Sequence, residues 1–161
     1  MKFQISNLKL QYPYLCAAMI QYFKNINGVT TAIEKADDET WVNILPPLKH
    51  EEFAEVSETL EIPVEFLQDS LDIDERSRFE LENNVKLIVI KTPTENNSFN
   101  ESDSFYITIP ICIILTHNQI VTVNSFENGA IKKFLNTFQN RHPGKKNMMV
   151  VKIFEKITQT Y

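Results

Sequence analysis

Residues 111–123 read ICIILTHNQIVTV. The apolar run Ile111 to Leu115 and the segment QIVTVNS (119–125) flank His117-Asn118, which predicts two strands paired across a tight hairpin. Just upstream, FYITI (105–109) predicts another strand. Pro110 separates it from ICIILT, and a proline cannot donate to a ladder, so a break or bulge is expected there. Further upstream, VKLIVIKT (85–92) predicts a central strand, because both faces of its middle are apolar. TENNSFNESDS (94–104) is polar and rich in turn formers, and predicts the connecting loop.

The rest of the sheet comes from the first third of the chain. MIQYFKNI (19–26) and VTTAIE (29–34) flank Asn27-Gly28 and predict a hairpin. TWVNIL (40–45) is a third short strand, ended by Pro46 and Pro47. Two helices follow. Phe53, Val56 and Leu60 fall at i, i+3, i+7 in LKHEEFAEVSETL, and Val64, Leu67 and Leu71 repeat that spacing in PVEFLQDSL, where Pro63 suits a first turn. Two more helices close the chain. One carries Ile131, Phe134, Leu135 and Phe138. The other carries Val150, Ile153, Phe154, Ile157 and Tyr161 in helical period up to the final residue. No glycine, asparagine or proline stops that last helix, so Val150 to Tyr161 is expected to be helical, with Ile153, Phe154 and Ile157 buried. Its final carbonyls lack a cap and its last turn is expected to fray, as in a helix cut short. The order predicts an α/β (α+β-like) fold: a mixed sheet of about seven strands flanked by helices.

Composition narrows the function. The chain has 161 residues, enough for one domain with a core, and a net charge of −5. Residues 51–82 hold twelve acidic residues against Arg76 and Arg78, so this segment carries −10 and the remainder +5. Phosphate contacts need a basic surface, so a nucleic-acid partner is not expected. An acidic surface attracts cations, although acidic helices also serve plain solubility. The three glycines are far apart, which excludes a glycine-rich phosphate loop. Cys16 and Cys112 show no metal or redox spacing, and Cys112 reads as a small buried hydrophobe in a reducing compartment. No stretch approaches the roughly 20 apolar residues of a membrane helix, and YLCAAMI (14–20) lacks the cleavage site of a secretory signal.

The densest charge lies in LDIDERSRFE (71–80), where six of ten side chains are charged. Asp72-Ile73-Asp74 is a D-x-D, a pattern that metal-dependent sugar transferases use to hold a divalent ion, but no nucleotide-binding signature accompanies it. As a calcium loop it fails: position 6 is Ser77 where glycine is needed, and position 12 is Asn83 instead of glutamate. Arg78-Phe79-Glu80-Leu81 alternates with period two, so Phe79 and Leu81 are expected to face the core and Arg78 and Glu80 the solvent. The arginines are expected to pair with nearby carboxylates, at about 0–1 kcal/mol per exposed pair. His50, His117 and His142 form no ligand pair and read as solvated. No nucleophile-base-orienter pattern is visible, so no catalytic residue is assigned.

Taken in order, the segments from Trp41 to Val123 resemble the cytosolic N-terminal domain of the CorA family of magnesium and cobalt transporters. WVNILPP resembles that family's Trp-(Ile/Val)-Asn strand followed by proline. EEFAEVSETLEIPVEFLQDSLDIDERSRFELENN resembles its two helices and the turn after them, with Ser77 where proline is usual. LIVIKTP and ICIILTHNQIVTV resemble its central strands, ending in threonine-valine. The resemblance covers residues 19–161, with 1–18 expected to be a peripheral N-terminal segment whose removal costs little stability.

The resemblance implies an α/β/α layered domain of a homopentameric ion transporter in the cell membrane, held on the cytoplasmic side. The stalk, the two C-terminal membrane helices and the Gly-Met-Asn signature of that family are not in this sequence. It also implies a regulatory divalent-cation site between neighbouring subunits, with Asp69 in the position of one metal carboxylate and Gln68 where a second acid is often found. The expected ligand is Mg²⁺, bound weakly by this chain alone, on the order of 10⁻³ M or worse for so few carboxylates. The alternatives are a metal-dependent enzyme using Asp72 and Asp74, or a stand-alone α/β interaction domain.

Overall fold

In the computed structural model, the residues described are 19–27, 29–45, 50–96, 104–124, 131 and 146–161. Among them, seven strands form one sheet: β1 (Met19–Ile26), β2 (Val29–Ile33), β3 (Trp41–Leu45), β4 (Arg78–Glu82), β5 (Val85–Glu95), β6 (Tyr106–Leu115) and β7 (Ile120–Asn124). They lie in the order β2-β1-β3-β7-β6-β5-β4. Every neighbouring pair is antiparallel except β3–β7, so the sheet is mixed, as expected.

Turn chemistry sets three of the hairpins. Asn27, after β1, has φ 54°, and asparagine tolerates that left-handed backbone. Asn83 and Asn84 join β4 to β5 with φ of 49° and 65°, the two positive values that a tight hairpin turn needs. Between β6 and β7, Thr116 N–H donates to the Gln119 carbonyl and leaves His117-Asn118 at the tip.

Helices cover both faces and make the α/β/α layering. Helices α1 (Phe53–Leu60) and α2 (Val64–Asp69) place Phe53, Val56, Leu60, Phe66 and Leu67 on one face, over Val85, Leu87 and Val89 of β5. The stripe Phe53, Val56, Leu60 is buried as its spacing predicts. Of the second expected stripe, Leu67 is buried, Val64 and Leu71 (just past the end of α2) are half-buried against the same core, and Phe66 joins them although it lies off that stripe. The opposite face packs Ile111, Ile113 and Ile120 under Ile131 and helix α3 (Lys146–Thr158), which supplies Met149, Val150, Ile153 and Ile157. Ile131 is helical and buried. Phe134, Leu135, Phe138, Cys16, His142 and residues 1–18 lie outside the described residues.

Three expectations are corrected. Pro110 makes no break: β6 is continuous through it, with Ile109, Pro110 and Ile111 in unbroken register against Thr92, Lys91 and Ile90. The last β6–β7 pair is Ile111 with Asn124, so Pro110 lies where β6 has no second neighbour among the described residues. On that side a missing donor costs the ladder nothing.

The facing of β4 is the reverse of that expected. Phe79 and Leu81 are exposed (62% and 58%), while Arg78 and Glu80 are half-buried. Strand β4 is the sheet's edge. Arg78 and Glu80 pair with Val89 and Leu87, on the face that α1 and α2 cover. Phe79 pairs with Ile88, on the α3 face, but neither Phe79 nor Leu81 joins the buried core that α3 covers.

Helix α3 stops at Thr158 instead of running to Tyr161, and its end is capped. The Thr158 hydroxyl donates to the Glu155 carbonyl (2.8 Å) and the Thr160 hydroxyl to that of Ile157 (2.5 Å). The Tyr161 hydroxyl donates to the Lys91 carbonyl on β5. Of the three residues expected to be buried here, Ile153 and Ile157 are, and Phe154 is half-buried.

A buried polar chain crosses the one parallel pair. Trp41 Nε1 donates to Thr122 Oγ1 (3.0 Å), Thr122 Oγ1 to Asn43 Oδ1 (2.7 Å), and Asn43 Nδ2 to Gln21 Oε1 (3.1 Å).

Candidate metal-related site

The acidic stretch after α1 folds back on itself. Helix α2 ends at Asp69, and the Ser70 hydroxyl, fully buried, donates to the Phe66 carbonyl (2.6 Å) and fixes the exit of the chain. A turn follows in which Asp72 Oδ1 accepts the Asp74 N–H at 2.9 Å. This is the local bond that aspartate readily makes in turns. It gives the D-x-D a structural role. Asp72 and Asp74 are both exposed, and no group of three or more histidine, cysteine, aspartate or glutamate side chains is placed to hold a metal among the described residues.

The chain then enters β4 at Arg78, which points towards the α2 side. Its guanidinium gathers three carboxylates: Nη2 donates to Asp69 Oδ2 (2.5 Å), Nη1 to Glu75 Oε1, and Nε to Glu80 Oε2 (3.1 Å). Partial burial draws the Arg78 pKa down, but the bond to Glu80 and the charges of Glu75 and Asp69 outweigh it and hold the pKa above its ordinary value. All four side chains keep some solvent contact, 19–44% exposed. Each pair therefore contributes about 0–1 kcal/mol.

The sequence-predicted metal carboxylate, Asp69, is half-exposed and already engaged by a cation of its own chain. Gln68 beside it is exposed. Arg78, Glu75 and Glu80 were not assigned to this site from the sequence. The nine-residue separation of Asp69 and Arg78 has no helical or strand period, and only the facing of β4 brings them together. Elsewhere, a groove of about 570 Å³ at the far end of β4 is walled by Glu58, Glu61, Glu65 and Glu82, with the exposed His117 at its rim. The His117 carbonyl accepts from Lys146 Nζ.

Beneath the cluster, Cys112 is fully buried on β6. Burial pushes its thiol up from 9.0 to about 11, against the Ser70 hydrogen bond and the charge of Arg78. The fold thus holds this proton more tightly than the unfolded chain does. The contribution is complete below pH 9.0 and is lost as pH rises through about 11. At pH 8, native Cys112 is expected to resist iodoacetamide and to react only after denaturation, as peptide mass mapping would show. Equal labelling of native and denatured chain would contradict the burial.

The described residues thus form an open mixed sheet between helical layers, with a strongly acidic segment running from α1 into β4. Among solved structures, the soluble domain of CorA from Methanocaldococcus jannaschii matches 92% of this chain with a TM-score of 0.68 at 21% identity. The complete CorA magnesium transporter of that organism matches 91%, with a TM-score of 0.70 at 22% identity. The ZntB cytoplasmic domain from Vibrio parahaemolyticus matches 89%, with a TM-score of 0.67 at 15% identity. The chain spans 59%, 46% and 59% of those three chains. No curated protein sequence matches it. The sequence profile described as CorA-like Mg2+ transporter protein matches residues 37–161, and the chain belongs to that family. No helix among the described residues is long and apolar enough to cross a membrane.

Proposed function

We propose that this chain is the cytosolic, divalent-cation-sensing domain of a CorA-like ion transporter, with Asp69 as its metal-related carboxylate. The family match over residues 37–161 carries the reading. The surface chemistry supports it: carboxylate oxygens are the hard donors that Mg²⁺ prefers, and Asp69 sits at a half-exposed helix end in an acidic segment. Asp69 alone is one donor, so a second would come from a neighbouring subunit of a homopentamer. The transported ion is the protein's cargo, and the regulatory ion is Mg²⁺. An ion that binds the closed assembly better than the open one shifts the equilibrium towards closure. The D-x-D enzyme reading loses its basis in the exposed turn of Asp72 and Asp74.

The test is flux through the full-length transporter at low and high internal Mg²⁺, wild type beside Asp69→Ala. Losing one charge-assisted contact, worth about 1.5–3 kcal/mol, raises the Mg²⁺ needed for inhibition by about tenfold or more. Unchanged inhibition would remove Asp69 from the sensor.

A further inference from the structure

We infer that Arg78 is the domain's own counter-ion at Asp69, and that a divalent cation gains Asp69 by displacing it. This rests on Asp69 being the metal-related carboxylate. Arg78 binds carboxylates from three places at once: the end of α2, the turn before β4, and β4 itself. A guanidinium is a rigid fork that keeps its charge at any working pH, so it competes for Asp69 across that whole range. It also neutralises part of the attraction that the site would offer a free ion.

Displacement is local. When an ion takes Asp69, Arg78 keeps Glu75 and Glu80, two of its three partners, so the entry to β4 stays anchored. The exchange needs no unfolding of β4, which remains paired to β5. Arg78 therefore sets a threshold. The ion must reach a concentration at which its gain at Asp69 exceeds what the guanidinium gives up. A residue that tunes this threshold need not touch the ion.

The experiment measures Mn²⁺ binding to this 161-residue chain from the loss of the free-ion paramagnetic resonance signal. Four forms are compared: wild type, Arg78→Gln, Asp69→Asn and the double variant. Arg78→Gln is expected to bind Mn²⁺ about three- to fivefold more tightly, the upper range for releasing a half-exposed pair. The double variant is expected to lose that gain. A gain below about twofold in Arg78→Gln overturns the inference, given the strength of such pairs. So does a gain that survives in the double variant, because the extra ions then sit on other carboxylates. Circular dichroism checks that each form is folded. Should Arg78→Gln fail to fold, Arg78→Lys takes its place, since a lysine keeps the charge but cannot bridge three carboxylates. A smaller Asp69-dependent gain then supports the inference, and none overturns it. The flux test of Asp69 stands apart. Flux unchanged by Asp69→Ala beside a normal Mn²⁺ result removes the sensing role and leaves the competition intact.

Discussion

Replacing Phe66 with alanine is expected to destabilise the domain by about 3–5 kcal/mol, the range for emptying a buried aromatic site. Phe66 is 1% exposed and sits beside Leu67, itself fully buried, in the layer between α2 and the sheet. Helix α2 has six residues, too few to hold its shape without packing, so the cavity would loosen the helix that ends in Asp69. A domain is stable by only about 5–15 kcal/mol, and a loss of this size brings it near the edge of folding. Phe79→Ala provides the contrast. That ring is 62% exposed on the uncovered face of β4, and its removal is expected to change stability by less than about 1 kcal/mol. Urea unfolding of both variants decides the matter. Similar midpoints would mean that the two phenylalanines are not placed as described.

Those two residues also show how far the sequence can be read. Helix α1 was legible because Phe53, Val56 and Leu60 form a stripe that only a helix makes contiguous. The hairpins were legible because Asn27 and His117-Asn118 punctuate apolar runs. In β4 the alternation correctly paired Arg78 with Glu80 and Phe79 with Leu81 on opposite faces. Alternation says which residues share a face and not which face a helix will cover, and at an edge strand the covered face need not be the apolar one. Pro110 misled for a related reason. The rule against proline in a ladder is local, whereas its penalty depends on whether a neighbouring strand lies on that side. The end of α3 was missed because threonine hydroxyls took the carbonyls, a cap that glycine, asparagine and proline signals do not announce. Asp69 entered through the family resemblance, while its partner Arg78 became visible only once β4 was laid beneath α2.

The second large effect is expected at Thr122. Valine has nearly the same shape, so Thr122→Val leaves the packing filled and removes only the hydroxyl. That hydroxyl accepts from Trp41 Nε1 and donates to Asn43 Oδ1, and Thr122 and Asn43 are fully buried. The change takes a partner from each of two groups that water cannot reach. At about 1–3 kcal/mol per orphaned group, the loss comes to about 2–6 kcal/mol, well beyond that of a surface threonine. The position has a further consequence because β3 and β7 are the one parallel pair of the sheet, with Asn43 opposite Thr122. A slip of β7 by two residues keeps every side chain on its face, so apolar burial alone penalises it weakly. It would set Asn43 opposite Ile120 or Asn124 and break the chain of hydrogen bonds. The polar contacts thus specify the register that the hydrophobic pattern leaves open. Trp41 is the chain's single tryptophan, so its fluorescence reports on the site directly. Thr122→Val should shift that emission and lower the unfolding midpoint together. Asn43→Leu made in the same chain should cost less than the two single changes added, because removing both partners leaves fewer buried groups unpaired. Strictly additive losses, or a Thr122→Val domain as stable as wild type, would show that the bonds across β3 and β7 do not act as a unit.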